Sequence, residues 1–329
     1  MLSSTLLQLL ASSAVLARLG HASPVLQPRD DDDDVLLEYN PGNKTFPHYT
    51  ALGDSYASGI GFSDSADGNE ACHRTVTSYP KRLLDFLGGE LAITHFNFAA
   101  CAGSNDEGVI SQIESVAPEV ELPMIGHDFG SPDLVTISVG ITTGNIMAEI
   151  VEKCIASLYK YWDADNSYIN LCEVAWYNSL VTIWSMDEGL SKLFDKAMTT
   201  NLAEGQKREV YVLGYPQFYA TDRGWKDCPE HDAMPHPPLD TLAKDVNGIV
   251  LELNKKLKST AEQAGAVYVD IDAAFEGHRL CDKEKDTWFQ RSLGDVQDIV
   301  HPNDDGYEGM MNVLEKAILG EPVEYELDD

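Results

Sequence analysis

Gly53-Asp54-Ser55 closes an apolar run, His48-Tyr49-Thr50-Ala51-Leu52, and opens into Tyr56-Ala57-Ser58-Gly59. An apolar run that breaks abruptly into Gly, Asp and Ser reads as a buried parallel strand ending at the mouth of a sheet. Ligands of open α/β folds bind at such strand ends. A serine there can act as a nucleophile, provided a base takes its proton and an oxyanion site stands beside it. Gly, Asp and Ser also favour ordinary turns, so the tripeptide alone does not separate a site from a bend in the chain.

The base has to come from nine histidines. His21 falls in a segment expected to be removed, and His48, His95 and His127 sit in or near apolar or strand contexts that suit structural roles. His301 differs, lying in Asp298-Ile299-Val300-His301-Pro302-Asn303. A carboxylate three residues before an imidazole can reach one ring nitrogen within a local turn and leave the other to face a serine. Pro302 biases His301 away from helix and holds the ring at a loop edge. Cys228, His231 and His236 together could be read as metal ligands. Their Pro-rich surroundings and the even cysteine count favour a loop with a disulfide, and no metal and no organic cofactor is expected.

These residues need a scaffold. Short β-rich runs alternate with longer helical stretches, which argues for parallel strands joined by helices. Strands are expected over 49–52, 92–98, 134–139, 210–213 and 266–271. Helices are expected over 79–87, 106–116, 146–158, 186–202, 239–264 and 307–319, the last with Asn303, Asp304 and Asp305 as candidate caps and Gly320 and Pro322 at its exit. Residues 158–184 hold Tyr159, Tyr161, Trp162, Tyr168, Trp176, Tyr177 and Trp184 around Cys172, a set that could line an apolar cleft or fill a core. Residues 215–238 read as a long loop of the kind that is usually functional or mobile.

Here the residues carry a resemblance. Gly53-Asp54-Ser55 near the N-terminus and Asp298-x-x-His301-Pro302 near the C-terminus resemble the first and last blocks of the SGNH, or GDSL-type, hydrolases. Cys72-His73-Arg74, Ser78-Tyr79-Pro80 and Asn97-Phe98-Ala99-Ala100-Cys101-Ala102-Gly103 are similar to the secreted microbial lipase and esterase branch, and Phe275-Glu276-Gly277-His278-Arg279-Leu280-Cys281 to its fungal members. The resemblance implies a flavodoxin-like three-layer α/β/α sandwich around a mostly five-stranded parallel sheet, with an open cleft at the strand ends. It implies Ser55 as nucleophile, His301 as base and then acid, Asp298 as the group orienting His301, and the amides of Ser55 and Gly103 as oxyanion donors. Glycine at 103 would serve a close backbone approach.

The third block departs from the family pattern of Gly, any residue, then an Asn whose amide completes the hole. After the strand over 134–139 the chain reads Gly140-Ile141-Thr142-Thr143-Gly144-Asn145. Without a gap Thr142 takes the Asn position, with one donor and a restricted χ1. With a loop insertion Asn145 could enter instead. Both stay open at this point, and loss of one oxyanion donor costs about 10² to 10³ in turnover.

Six cysteines, an even number, suit an oxidising compartment. Sequence permits fifteen pairings; the simplest joins neighbours, Cys72 to Cys101, Cys154 to Cys172 and Cys228 to Cys281, and the resemblance implies the first of these. Residues 1–22 read as a secretory signal, with an apolar core over 6–16 and small residues in Gly20-His21-Ala22, though no basic residue precedes the core. That core is shorter than the about 20 residues that span a bilayer. Residues 23–47, with Asp30-Asp31-Asp32-Asp33-Asp34 and the sequon Asn43-Lys44-Thr45, read as a solvated leader or pro-segment before a single domain over 48–329.

The chain has 329 residues, 43% of them hydrophobic, enough for a substantial core. Its net charge of -31 argues against nucleic acid, anionic membranes and acidic polysaccharides as partners. The expected protein is a secreted, extracellular monomer without stable membrane insertion, hydrolysing a neutral carboxylic ester: a short acyl ester, a lipid or an acetylated sugar, free or on a polysaccharide. The rival readings are an SGNH-fold binding protein with a degenerate oxyanion hole, and a structural glycoprotein with incidental motifs.

Overall fold

The computed structural model describes residues 44–61, 65–66, 70–114, 129–155, 167–221, 240–282, 287–290 and 300–321. Residues 1–43, with the expected signal and Asn43, lie outside the described residues, as do His127, Cys228, His231, His236 and Asp298.

Five strands form one parallel sheet in the order β2-β1-β3-β4-β5: β1 His48–Gly53, β2 His95–Phe98, β3 Leu134–Ser138, β4 Glu209–Leu213 and β5 Val267–Val269. β3 is buried along its whole length and β1 from Tyr49 onward. Strands covered on both faces have no alternation to keep, which is why they read as continuous apolar runs. Register runs Ala51 to Phe98 on one side of β1 and Gly53 to Ser138 on the other. Strand order reverses between β1 and β3, so their C-terminal ends flank the switch point where such sheets bind ligands.

The helices are α1 Ser55–Ser58, α2 Tyr79–Leu87, α3 Asp106–Glu114, α4 Ile146–Ala148, α5 Ser167–Ser185, α6 Asp187–Thr199, α7 Asp240–Gln263 and α8 Asp304–Leu319. α2 packs on α8, while α3 packs on α6 and α7 on both α5 and α6, giving helical layers about the sheet. The three-layer expectation holds.

Some boundaries moved for physical reasons. β2 starts at His95 because Ala92 turns left-handed (φ 54), Ile93 N–H returns to Gly88 O at 2.7 Å and Thr94 N–H goes to Pro47 O, so 92–94 close α2. α4 passes into a π-helix, Glu149–Ile155. α8 begins at Asp304, capped by Asn303 Oδ1 accepting from Gly306 N–H at 2.9 Å. Packing also reaches ahead of residue 48: Phe46 is buried and Lys44 Nζ donates to Ile318 O and Glu209 Oε2. Of the 158–184 stretch, residues 158–166 with Tyr159, Tyr161 and Trp162 lie outside the described residues, and the rest lies in α5, where Cys172, Ala175, Leu180 and Ile183 face inward while Tyr177 and Trp184 stand exposed.

Disulfides join Cys72 to Cys101 and Cys154 to Cys172, the neighbour pairing expected. Cys281 is also disulfide-bonded.

Candidate active site

Gly53 turns the chain out of β1 at φ 136. A Cβ there would stand 2.3 Å from Ser138 O across the ladder, so only glycine lets the two strand ends approach. Asp54 N–H then donates to Ser138 O at 3.0 Å, and the Asp54 carboxylate caps α1 by accepting from Tyr56 N–H at 3.0 Å. Ser55 is thereby the first residue of a single helical turn set on the switch point. Its Oγ lies 2.8 Å from His301 Nε2, with both residues 5% exposed. Those two residues are 246 positions apart, and the fold brings them together as expected.

His301 is held from several sides. Gln290 N–H donates to His301 O at 2.9 Å, and Gln290 Nε2 donates to Pro302 O and to Ile60 O at 2.9 and 2.6 Å. The Tyr56 hydroxyl donates to Val300 O, and its ring lies 5.4 Å from the imidazole. Behind it Asn303 starts α8. The imidazole is pinned between the nucleophile turn and a helix start, which fixes the ring nitrogen that meets Ser55.

Under Ser55 lies a buried acid. Asp54 is fully buried; its Oδ2 accepts from the Tyr215 hydroxyl at 2.5 Å and its Oδ1 from Ser138 Oγ at 3.2 Å. Burial pushes the carboxyl up to about 6, against the pull of the Tyr215, Tyr56, Ser138 and Ala57 hydrogen bonds. The Tyr215 phenol is itself raised well above 10.0, chiefly by burial and then by Asp54. Tyr215, in the long-loop stretch singled out from sequence, is a structural support here.

The segment after β2 forms the other wall. Cys101 N–H donates to Gly53 O at 2.9 Å and Ala102 N–H to Cys72 O at 3.1 Å, so the disulfide and two backbone bonds fasten this loop beside the nucleophile turn. Gly103 has φ 83, and a Cβ on it would meet no described atom within 4 Å. The left-handed backbone, rather than crowding by the protein, is what calls for glycine there. Among the described residues neither the Ser55 nor the Gly103 amide donates a backbone hydrogen bond.

In the third block, Thr142 Oγ1 donates to Ser104 O at 2.5 Å, so its single proton is directed at a backbone carbonyl. Thr143 Oγ1 accepts from Asp106 N–H at 3.3 Å and donates to Asp106 Oδ1 at 3.1 Å. Asn145 is exposed, in a left-handed conformation (φ 63), and its side chain caps nothing. Among the described residues no cluster of His, Cys, Asp or Glu could hold a metal, and no helix is long and apolar enough to cross a membrane.

Sequence reasoning passed over Tyr56, Ser138, Gln290 and Gln112. Each acts through a contact made by folding, and only Tyr56, next to Ser55, could have been suspected from its place in the motif.

The sheet, its switch point and the relatives make this chain a carboxylic ester hydrolase. Residues 51–308 match the GDSL-like lipase/acylhydrolase family, and the chain belongs to that family. A lipase of Streptomyces rimosus is 26% identical over 274 residues, covering 82% of this chain and 86% of its own. Lipase 2 of Streptomyces coelicolor is 26% identical over 267 residues, covering 78% and 80%. Two solved structures, an extracellular lipase from Streptomyces rimosus and a phospholipase A1 from Streptomyces albidoflavus, each superpose with a TM-score of 0.59 at 24% identity over 82% of this chain. The match covers 99% of the first of those chains and 98% of the second, which speaks for a shared fold.

Proposed function

We propose that this is a secreted serine esterase in which Ser55 attacks the carbonyl carbon of a neutral carboxylic ester, with His301 as base and Asp298 orienting His301. The observation that carries the reading is the 2.8 Å contact between Ser55 Oγ and His301 Nε2 at the switch point. As the Ser55 oxygen bonds to carbon, its proton passes to Nε2, and the carbonyl oxygen takes the π electron pair and becomes an oxyanion facing the amides of Ser55 and Gly103. Collapse breaks the bond to the alcohol, which leaves with the proton from His301. Water then attacks the acyl-serine, giving its proton to His301, and the acid departs as Ser55 regains its own.

The bond from Thr142 to Ser104 O favours an oxyanion hole made of backbone amides, without the side-chain donor of the family pattern. Such a hole supports slower turnover than one with all its donors. Candidate substrates are short acyl esters, lipids and acetylated sugars, consistent with relatives named lipase and phospholipase A1. A net charge of -31 disfavours anionic surfaces. The disulfides and a relative described as extracellular support export through the signal at 1–22.

The test is labelling by a fluorophosphonate together with turnover of chromogenic acetyl and butyryl esters. Wild type should label and turn over, and Ser55→Ala should lose labelling and about 10³-fold or more in turnover. Labelling without turnover would mark a working Ser-His pair beside a failed oxyanion hole, the binding-protein alternative. Full activity in Ser55→Ala would end the reading.

A further inference from the structure

β2 stops opposite Ala51, while β1 runs on to Gly53. Adjacent residues in a strand point their N–H and C=O to opposite neighbours. Asp54 N–H goes to Ser138 O on the β3 side, so the polar groups of Gly53 face the side where β2 has ended. The chain after β2 still supplies Cys101 N–H to Gly53 O, and a side chain completes the place by taking Gly53 N–H and sharing Gly53 O. Gln112, on α3 and 8% exposed, accepts from Gly53 N–H through Oε1 at 2.9 Å and donates from Nε2 to Gly53 O at 2.9 Å. A carboxamide can stand in for one strand peptide because it carries the same acceptor and donor. Gly53 also fixes which end is which, since only the oxygen can receive its N–H.

The second Nε2 proton does what a strand could not: it goes to Ser104 Oγ at 3.0 Å. Ser104 follows Gly103 and is tied further by its N–H to Cys101 O and by Thr142 Oγ1 to its carbonyl. One carboxamide therefore grips the residue two before Ser55 and the residue one after Gly103.

We propose that Gln112 is a positioning residue for ester hydrolysis, setting the separation between the Ser55 nucleophile and the Gly103 oxyanion donor through its three hydrogen bonds to Gly53 and Ser104. The inference rests on the reading of Ser55 as nucleophile and Gly103 as oxyanion donor. A purely structural role could be filled by apolar packing; the bond to Ser104 adds a side-chain coupling between the two halves of the reaction centre to the backbone one from Cys101 N–H to Gly53 O. A misplacement of about 1 Å between such halves costs about 10² in rate.

Gln112→Glu gives the decisive readout. Protonated, the carboxyl offers one O–H and one acceptor, close to the native pattern. Ionised, it offers acceptors alone and opposes Gly53 O. The wild-type kcat profile across pH is the reference. Relative to wild type, Gln112→Glu should lose kcat as the new carboxyl ionises, by about 10-fold to 10²-fold, with KM changed by less than about threefold. Returning the same sample to lower pH should restore kcat. Gln112→Leu should show the loss at every pH, and Ser104→Ala a smaller one. Should Gln112→Leu fail to fold, the reversible profile of Gln112→Glu decides alone.

A Gln112→Glu profile that follows wild type, with kcat within about twofold throughout, overturns the proposal. Ser55→Ala separates the two levels: inactive Ser55→Ala beside unaffected Gln112 variants removes only the role of Gln112, whereas active Ser55→Ala removes the reading beneath it.

Discussion

Asp54 is the middle residue of the motif, yet its carboxylate faces away from the reaction, buried among Tyr215, Ser138 and the Tyr56 amide. An acid raised from 3.8 to about 6 binds its proton more tightly in the folded protein than in the unfolded chain. The stability this adds is fully present below pH 3.8 and is lost as pH rises through about 6. Asp54→Asn keeps the cap acceptor at Oδ1, places a neutral amide against the Tyr215 hydroxyl and removes the titration. Denaturation of wild type and Asp54→Asn across pH 3.8 to about 6 should therefore diverge, wild type losing on the order of 2 to 3 kcal/mol relative to the variant. Parallel curves would show that Asp54 keeps an ordinary carboxyl. Thr142 teaches the same lesson at another position: residue type suggested an oxyanion donor, whereas the partner of its proton is the carbonyl of Ser104.

At the scale of elements, the reactive turn depends on how closely two strand ends approach. Gly53→Ala would drive a Cβ to 2.3 Å from Ser138 O and 2.9 Å from Ala57 Cβ while holding alanine at φ 136. Neither neighbour can swing aside, since one is backbone and the other a methyl on α1. A loss of roughly 2 to 5 kcal/mol in chemical denaturation is expected, with fluorophosphonate labelling falling even where the variant folds. A change of less than about 0.5 kcal/mol would mean the turn relaxes freely. The strands that carry the site were legible because burial on both faces leaves an unbroken apolar signature, as in β3. The end of β2 was not, because residues 92–94 have strand-like composition but are consumed in closing α2. α5 was hidden too: Val174, Tyr177, Val181 and Trp184 face solvent, so the segment has no polar stripe to announce a helix. The supports of the site were the least legible part, since Gln112 reaches Gly53 across 59 positions and Tyr215 reaches Asp54 across 161. Sequence marked the Ser55 and His301 blocks, whose residue types carry the chemistry, and left out the side chains that merely hold them.

For the molecule as a whole, two disulfides of similar loop length have unequal relations to the reaction centre. Cys72–Cys101 closes a separation of 29 positions and Cys154–Cys172 one of 18. Chain-entropy reasoning gives each roughly 3 to 4 kcal/mol, so stability alone would hardly tell them apart. Position does. Cys101 N–H holds Gly53 O, and the residue after it holds Cys72 O, so the first bridge is part of the wall that presents Gly103. The second ties the π-helix to α5, whose Thr182 packs beside Gly144 of the third block, away from the Gly103 wall. Replacing each pair by serines should lower the denaturation midpoint by comparable amounts. Turnover measured well below either midpoint should nevertheless fall about 10-fold or more for the Cys72 and Cys101 pair and change little for the other. Equal losses of turnover at equal losses of stability would show that the loop bearing Gly103 is placed by the global fold and not by its own bridge.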